Sequence, residues 1–170
     1  DDGGGLSDPG SDPGTDQGPG RVLQVGPSRA LKTPCAAAAE VQDGDTVEID
    51  AGEYAGDVCA WTKNRLTLRG VGGFAHLRAA GASYAGKAIW VIEGADTTVE
   101  WIEFSQASVV DKNGAGIRQE GPGLTVRRCY FHDNEDGILA GDSAQSDILI
   151  EHCEFARNGF GYGQSHNLYI

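Results

Sequence analysis

Thr98-Val99-Glu100-Trp101-Ile102-Glu103-Phe104, Thr125-Val126-Arg127-Arg128-Cys129-Tyr130-Phe131 and Leu149-Ile150-Glu151-His152-Cys153-Glu154-Phe155 align without a gap, at offsets of 27 and then 24 residues. The apolar residues fall in the same columns, Val99/Val126/Ile150, Ile102/Cys129/Cys153 and Phe104/Phe131/Phe155. A column that stays apolar from copy to copy faces the inside of a coil. A second strand repeats in Gly116-Ile117-Arg118, Gly137-Ile138-Leu139 and Asn167-Leu168-Tyr169-Ile170, and Asn134 and Asn158 share a turn position one repeat apart. Short strands separated by turn residues, without helical spacing, predict a solenoid. No rung buries its own apolar face, so rungs stack about 4.8 Å apart and place like residues on like. Asn at the shared turn suits the left-handed backbone conformation of a tight corner.

Upstream, Thr33-Pro34 followed by Cys35-Ala36-Ala37-Ala38-Ala39-Glu40 and closed by Asp43-Gly44 predicts a short helix, with Thr33 as N-cap and Pro34 at its first position. Thr46-Val47-Glu48-Ile49-Asp50 alternates as a strand and Ala51-Gly52-Glu53-Tyr54 turns the corner. A helix laid over the first rung would cover the open end of the core. Together with Gly26-Pro27-Ser28-Arg29-Ala30, these segments resemble the N-terminal cap of bacterial right-handed parallel β-helix repeat proteins of the pectate-lyase-like superfamily, a resemblance that spans residues 21–170. It implies an all-β fold of about five rungs with a short capping helix. It also implies an extracytoplasmic location and contact with polysaccharide, through lyase, epimerase or hydrolase activity, although fold does not by itself carry chemistry.

The domain reading is a tether over residues 1–20, a cap over 21–45, and rungs over 46–170 that look incomplete at the C-terminus. The tether repeats Ser7-Asp8-Pro9-Gly10 and Ser11-Asp12-Pro13-Gly14 and has almost nothing apolar to bury. The chain carries a net charge of −12, to which five Asp of the tether contribute. With no Lys/Arg cluster, no nucleic-acid partner is expected and the chain is a poor candidate for anionic lipid. No apolar run is long enough to span a bilayer. A secreted or cell-surface protein is expected, with a lipid anchor at a removed N-terminal signal as one form of it.

Four cysteines in an exported chain invite disulfides. A bridge between Cys35 on the cap helix and Cys59 on the next strand is favoured over two free thiols. Cys129 and Cys153 share an inward column, where parallel Cβ vectors favour stacked thiols over a bond. Among chemical candidates, the superfamily's calcium-dependent lyases pair a carboxylate cluster with an Arg base. This casts Asp133, Glu135 and Asp136, near Asp142 and Asp147, as a calcium set, and Arg118, Arg127 or Arg128 as a base, with His132 and Asp133 beside it. His166 and Asn167 are binding candidates. Against each stands the plainer reading of solvated charge on turns, and the alternating Glu100/Arg127/Glu151 column illustrates it. Trp61, Trp90 and Trp101 read as core before sugar platforms. No cofactor is required on this reading, with calcium as the ion to consider.

Two functions follow as expectations. The first is a non-catalytic module that associates with itself or another protein, end to end or as a filament, through Leu168, Tyr169 and Ile170 of an open last rung. The second is a segment of a polysaccharide lyase, epimerase or hydrolase, or a plain glycan-binding module.

Overall fold

The computed structural model describes residues 20–141, 147–160 and 163–170, so the tether, apart from Gly20, lies outside the described residues. The chain enters through β1 (Val22–Val25) and α1 (Pro34–Ala38) and then winds through about five turns. The first turn holds β2 (Thr46–Ala55) and β3 (Cys59–Trp61), and the second β4 (Thr67–Arg78) and β5 (Ala88–Ile92). The third holds β6 (Thr98–Glu100), β7 (Ile102–Ser105) and β8 (Ala115–Gln119), and the fourth β9 (Leu124–Arg127), β10 (Tyr130–His132) and β11 (Asp136–Ala140). The last contains β12 (Ile148–Glu151), β13 (Glu154–Ala156) and β14 (Leu168–Tyr169). Equivalent strands of successive turns pair in parallel, giving three faces: β1-β2-β4-β6-β9-β12, β2-β4-β7-β10-β13 and β3-β5-β8-β11-β14. Thr98 lies opposite Thr125, and Thr125 opposite Leu149, so the gapless alignment of the sequence is the register of the sheet.

Inward residues alternate with outward ones because successive side chains of a strand point to opposite faces. Val47, Leu68, Val99 and Val126 form one buried column. Phe104 stacks on Phe131 at 5.0 Å between ring centroids, and Phe131 on Phe155 at 4.9 Å. Facing them, a Cβ at Gly116 would come within 2.9 Å of Phe104 and Phe131, so the glycine lets the third face approach the Phe stack closely there, while Trp90 of the same face meets Phe104 edge-on at 5.2 Å. Trp61 and Trp90, both fully buried, pack edge-to-face at 5.2 Å.

Each of the later turns bends at two corners built on single non-glycine residues of positive φ. Trp101, Arg128 and His152 (φ 56, 49 and 55) form the first, and Gln106, Asp133 and Arg157 (φ 64, 54 and 54) the second. The second corner corrects the expected role of asparagine. The left-handed residue is the one before Asn134 and Asn158, and the Asn side chains turn inward as a hydrogen-bond ladder. Asn134 accepts from the Ala107 amide at 2.9 Å and donates to the Phe104 carbonyl at 3.0 Å and to Asn158 Oδ1 at 3.1 Å. Asn158 repeats the pattern, donating to the Phe131 carbonyl at 2.9 Å and to Asn167 Oδ1 at 3.0 Å. Thus the buried backbone groups that the corner strips of sheet partners are satisfied from the turn above or below.

At the entrance, the Thr33 side chain accepts from the Ala36 amide, Pro34 opens the helix, and Ala37 packs in the core with Val25 and Val41. A disulfide joins Cys35 to Cys59 with Cα atoms 5.6 Å apart, tying α1 to β3. Cys129 and Cys153 are free thiols in the inward column.

Asn134→Ala would orphan the Ala107 amide and the Phe104 carbonyl. A loss of about 3 kcal/mol is expected, or about 6 to 12 °C in thermal midpoint by calorimetry; an unchanged midpoint would show that the ladder is dispensable. The Cys35→Ala/Cys59→Ala variant should lose about 3 kcal/mol, read as the difference in denaturant unfolding between oxidised wild type and variant.

Candidate functional site

On the second face the outward residues of β4, β7, β10 and β13 form a continuous polar surface. His76 lies opposite Glu103, Glu103 opposite Tyr130, and Tyr130 opposite Glu154, one turn apart each time. His132, two residues beyond Tyr130 on β10, lies opposite Ser105. The His132 ring leans back across this grid. Its Nε2 is 2.8 Å from Glu103 Oε1 and its Nδ1 is 2.6 Å from Asp133 Oδ2. His76 Nε2 is 2.7 Å from Ser105 Oγ and 3.6 Å from Glu103 Oε1. Tyr130 stacks on the His132 ring at 4.4 Å.

Arg157 closes the cluster on the far side, donating from Nε to Asp133 Oδ1 at 2.8 Å and from Nη2 to Oδ2 at 2.9 Å. This two-pronged pair, with His132 adding to it, holds the Asp133 carboxyl well below the usual aspartate range. Asp133 is therefore an ionised acceptor, and the His132 ring stands between two carboxylates, Asp133 at Nδ1 and Glu103 at Nε2.

Beside the cluster, at the first corner, lies an open groove of about 390 Å³. Its walls are Phe74, Trp101 and Tyr130, with Arg128, His152 and Glu154 at its rim. The groove exists because β4 is longer than its neighbours demand. Its register against β2 shifts at Asp50/Gly52, and Gly72 and Gly73 take φ of 80 and 145 to absorb the extra residues. Phe74 is pushed outward, where it meets the Trp101 ring at 5.6 Å. Gly70 admits the Trp101 carbonyl, which any Cβ there would overlap. The left-handed backbone of Trp101 turns its side chain to solvent, 43% exposed, so Trp101 is not core, whereas Trp61 and Trp90 are.

The structure gathers some of the sequence candidates and scatters others. Arg128, His132 and Asp133 share this face. Arg118 belongs to β8 on the third face and donates to Glu120 at 3.0 Å, while Arg127 bridges to Glu151 at 2.7 Å. The three carboxylates expected to hold calcium turn to three separate partners. Asp133 goes to Arg157 and His132; Glu135, buried, accepts from the Ser108 hydroxyl and the Val109 and Gly114 amides; and Asp136, buried, accepts from the His166 amide at 2.6 Å. Asp142 lies outside the described residues. His166 stacks on Tyr169, and Asn167 ends the asparagine ladder. Leu168, Tyr169 and Ile170 are exposed, the first two on β14, which pairs with β11.

Sequence reasoning does not single out His76, Glu103, Phe74 or Arg157 as site residues. One signal was there to find. His76 precedes Glu103 by 27 residues, the same offset that separates Glu103 from Tyr130, so the outward column extends one turn further back than the repeat was followed.

Parallel strands stacked turn on turn into three faces about one core define a parallel β-helix. The family described as the right handed beta helix region matches residues 59–169, and the chain belongs to it. A mutant pectin methylesterase, solved in complex with a hexasaccharide, has a similar fold at a TM-score of 0.55 and 15% identity. The likeness covers 80% of this chain and 49% of that one, so this chain spans about half the length of its structural neighbour. At this identity the likeness is one of fold. No curated protein sequence matches the chain.

Arg157→Ala should let the Asp133 titration rise toward the ordinary aspartate range, followed by carboxyl carbon NMR. Because the folded-state value is depressed, the contribution of Asp133 to stability is present above the ordinary range and is lost as pH falls through the folded value; the variant should lose that acid-side dependence. An unmoved titration would mean that Arg157 does not set it.

Proposed function

We propose that this chain is the glycan-binding segment of an exported β-helix protein, with the groove between Phe74, Trp101 and Tyr130 as the sugar platform. The observation that carries the reading is Trp101, held open to solvent by its left-handed backbone beside a second exposed ring. Large aromatic faces bind the C–H faces of pyranose rings, and a partly exposed aromatic pair otherwise costs solvation. Arg128, His152 and Glu154 at the rim offer both donors and acceptors to sugar hydroxyls. The hexasaccharide bound by the structurally similar pectin methylesterase supports a polysaccharide as ligand class. The Cys35–Cys59 disulfide supports an oxidising, extracytoplasmic location.

The first function expected from the sequence, association through Leu168, Tyr169 and Ile170, is favoured by the exposure of these residues and the edge of β14 alone. We place it second. Sedimentation of the purified chain at rising concentration tests it, and a monomer throughout would remove it.

The platform is tested by tryptophan fluorescence with a soluble quencher. Since Trp61 and Trp90 are fully buried, Trp101 alone is open to quenching. A panel of neutral and acidic oligosaccharides should include one that protects the fluorescence, and Trp101→Ala should weaken its binding at least tenfold by calorimetry. If no oligosaccharide binds, or the variant binds as well as wild type, the platform is not where the glycan sits.

A further inference from the structure

The geometry points to a divalent transition-metal site of the zinc class formed by His76 Nε2, Glu103 Oε1 and His132 Nε2 on three successive turns. These three atoms lie within 4.8 Å of one another, with separations of 2.8 Å and 3.6 Å from the carboxylate oxygen to the two imidazoles. Zinc bonds of about 2.0–2.1 Å at tetrahedral angles place ligand atoms about 3.3 Å apart, between those two distances. The side chains sit on strands whose register is fixed by the parallel ladder, so the triad is held by the scaffold rather than by mobile loops.

The donor set selects the ion. Two imidazoles and one carboxylate match zinc and its neighbours, whereas calcium requires six to eight oxygens. His132 is already oriented for the task. Its Nδ1 lies 2.6 Å from Asp133 Oδ2, and Asp133 is clamped by Arg157; with Nε2 on a metal, Nδ1–H would donate to that carboxylate, the carboxylate–histidine arrangement that aims an imidazole at a metal. The rings of His76 and His132 stand 5.9 Å apart at an interplanar angle of 37°, with both Nε2 atoms close to the same carboxylate oxygen. Binding exchanges two contacts, His76 with Ser105 and His132 with Glu103, for metal bonds. The three side chains are 14–23% exposed, which leaves an entry path and an outward coordination position for water or a ligand oxygen. The inference stands apart from the glycan reading, since no residue of the triad lines the aromatic groove.

The test uses the purified chain, freed of metal and titrated with zinc against a chromogenic chelator, and with cobalt as a spectroscopic stand-in. One equivalent should bind, and cobalt should give the visible bands of a nitrogen/oxygen tetrahedral site without a sulfur charge-transfer band. His76→Ala and Glu103→Gln should each weaken zinc at least a hundredfold, with the thermal midpoint of the metal-free protein showing that both are folded. Asp133→Asn, which keeps a residue tolerant of the left-handed corner, should weaken zinc about 10- to 100-fold. Trp101→Ala should leave zinc affinity unchanged, so that loss of glycan binding and loss of metal binding are separable. The site is overturned by no stoichiometric binding, by wild-type affinity in a folded His76→Ala or Glu103→Gln protein, or by a thiolate band marking Cys153 as the ligand.

Discussion

Everything in this molecule depends on the in-register parallel pairing of one turn with the next. A parallel ladder sets neighbouring strands about 4.8 Å apart and puts each side chain directly over its counterpart. A column must therefore be filled with groups that tolerate their own neighbours at that spacing. Inside, this means flat rings stacked on flat rings and amides bonded to amides, as in Phe104, Phe131 and Phe155 and in Asn134 and Asn158. Outside, like charges would repel, and the column Glu48, Arg69, Glu100, Arg127, Glu151 alternates in sign at every turn. Arg69 meets Glu48 at 2.7 Å and Arg127 meets Glu151 at the same distance. That alternation keeps like charges from meeting along this column despite the acidic net charge of the chain.

The same constraint explains where a functional surface can arise. A strictly regular rung shows only alternating columns, so a concave site needs a break in the pattern. Here the break is the extra length of β4, absorbed at Gly72 and Gly73, which lifts Phe74 away from the sheet and opens the groove beside Trp101. Two residues further along β4, His76 stands opposite Glu103 of the next turn. His132 reaches them diagonally rather than along its own column. The groove and the histidine cluster share Tyr130, which walls the first and stacks on the second.

How much of this was legible follows from the range of each interaction. The rungs, their register, the cap helix with Thr33 and Pro34, and the charge column could be read because each is a pattern along the chain with a fixed offset. The corner was half legible. Asn134 and Asn158 marked the turn, but their work is done by side chains bonding to the turn beside them, while Asp133 and Arg157 carry the left-handed backbone. Trp101 reads as core because large aromatics in solenoid columns usually are, and only the left-handed backbone of the corner it shares with Arg128 and His152 turns it outward. Asp133, Glu135 and Asp136 are adjacent in sequence and crowd together on paper. Around a tight turn their side chains fan apart, one outward and two into buried backbone partners.

The sequence by itself determined the architecture, because periodic burial of apolar residues at offsets of 27 and 24 residues admits one way of covering them, the stacking of turns. It also determined the capped entrance and the pairing of opposite charges on the first face. Only the tertiary structure decided which outward residues meet. The contact of His132 with Glu103, the clamp of Arg157 on Asp133 and the exposure of Trp101 depend on side-chain direction and on single left-handed corners, and neither leaves a periodic trace in the chain. Strand register carries residues to neighbouring places; rotamers and corners choose which of those neighbours form a site.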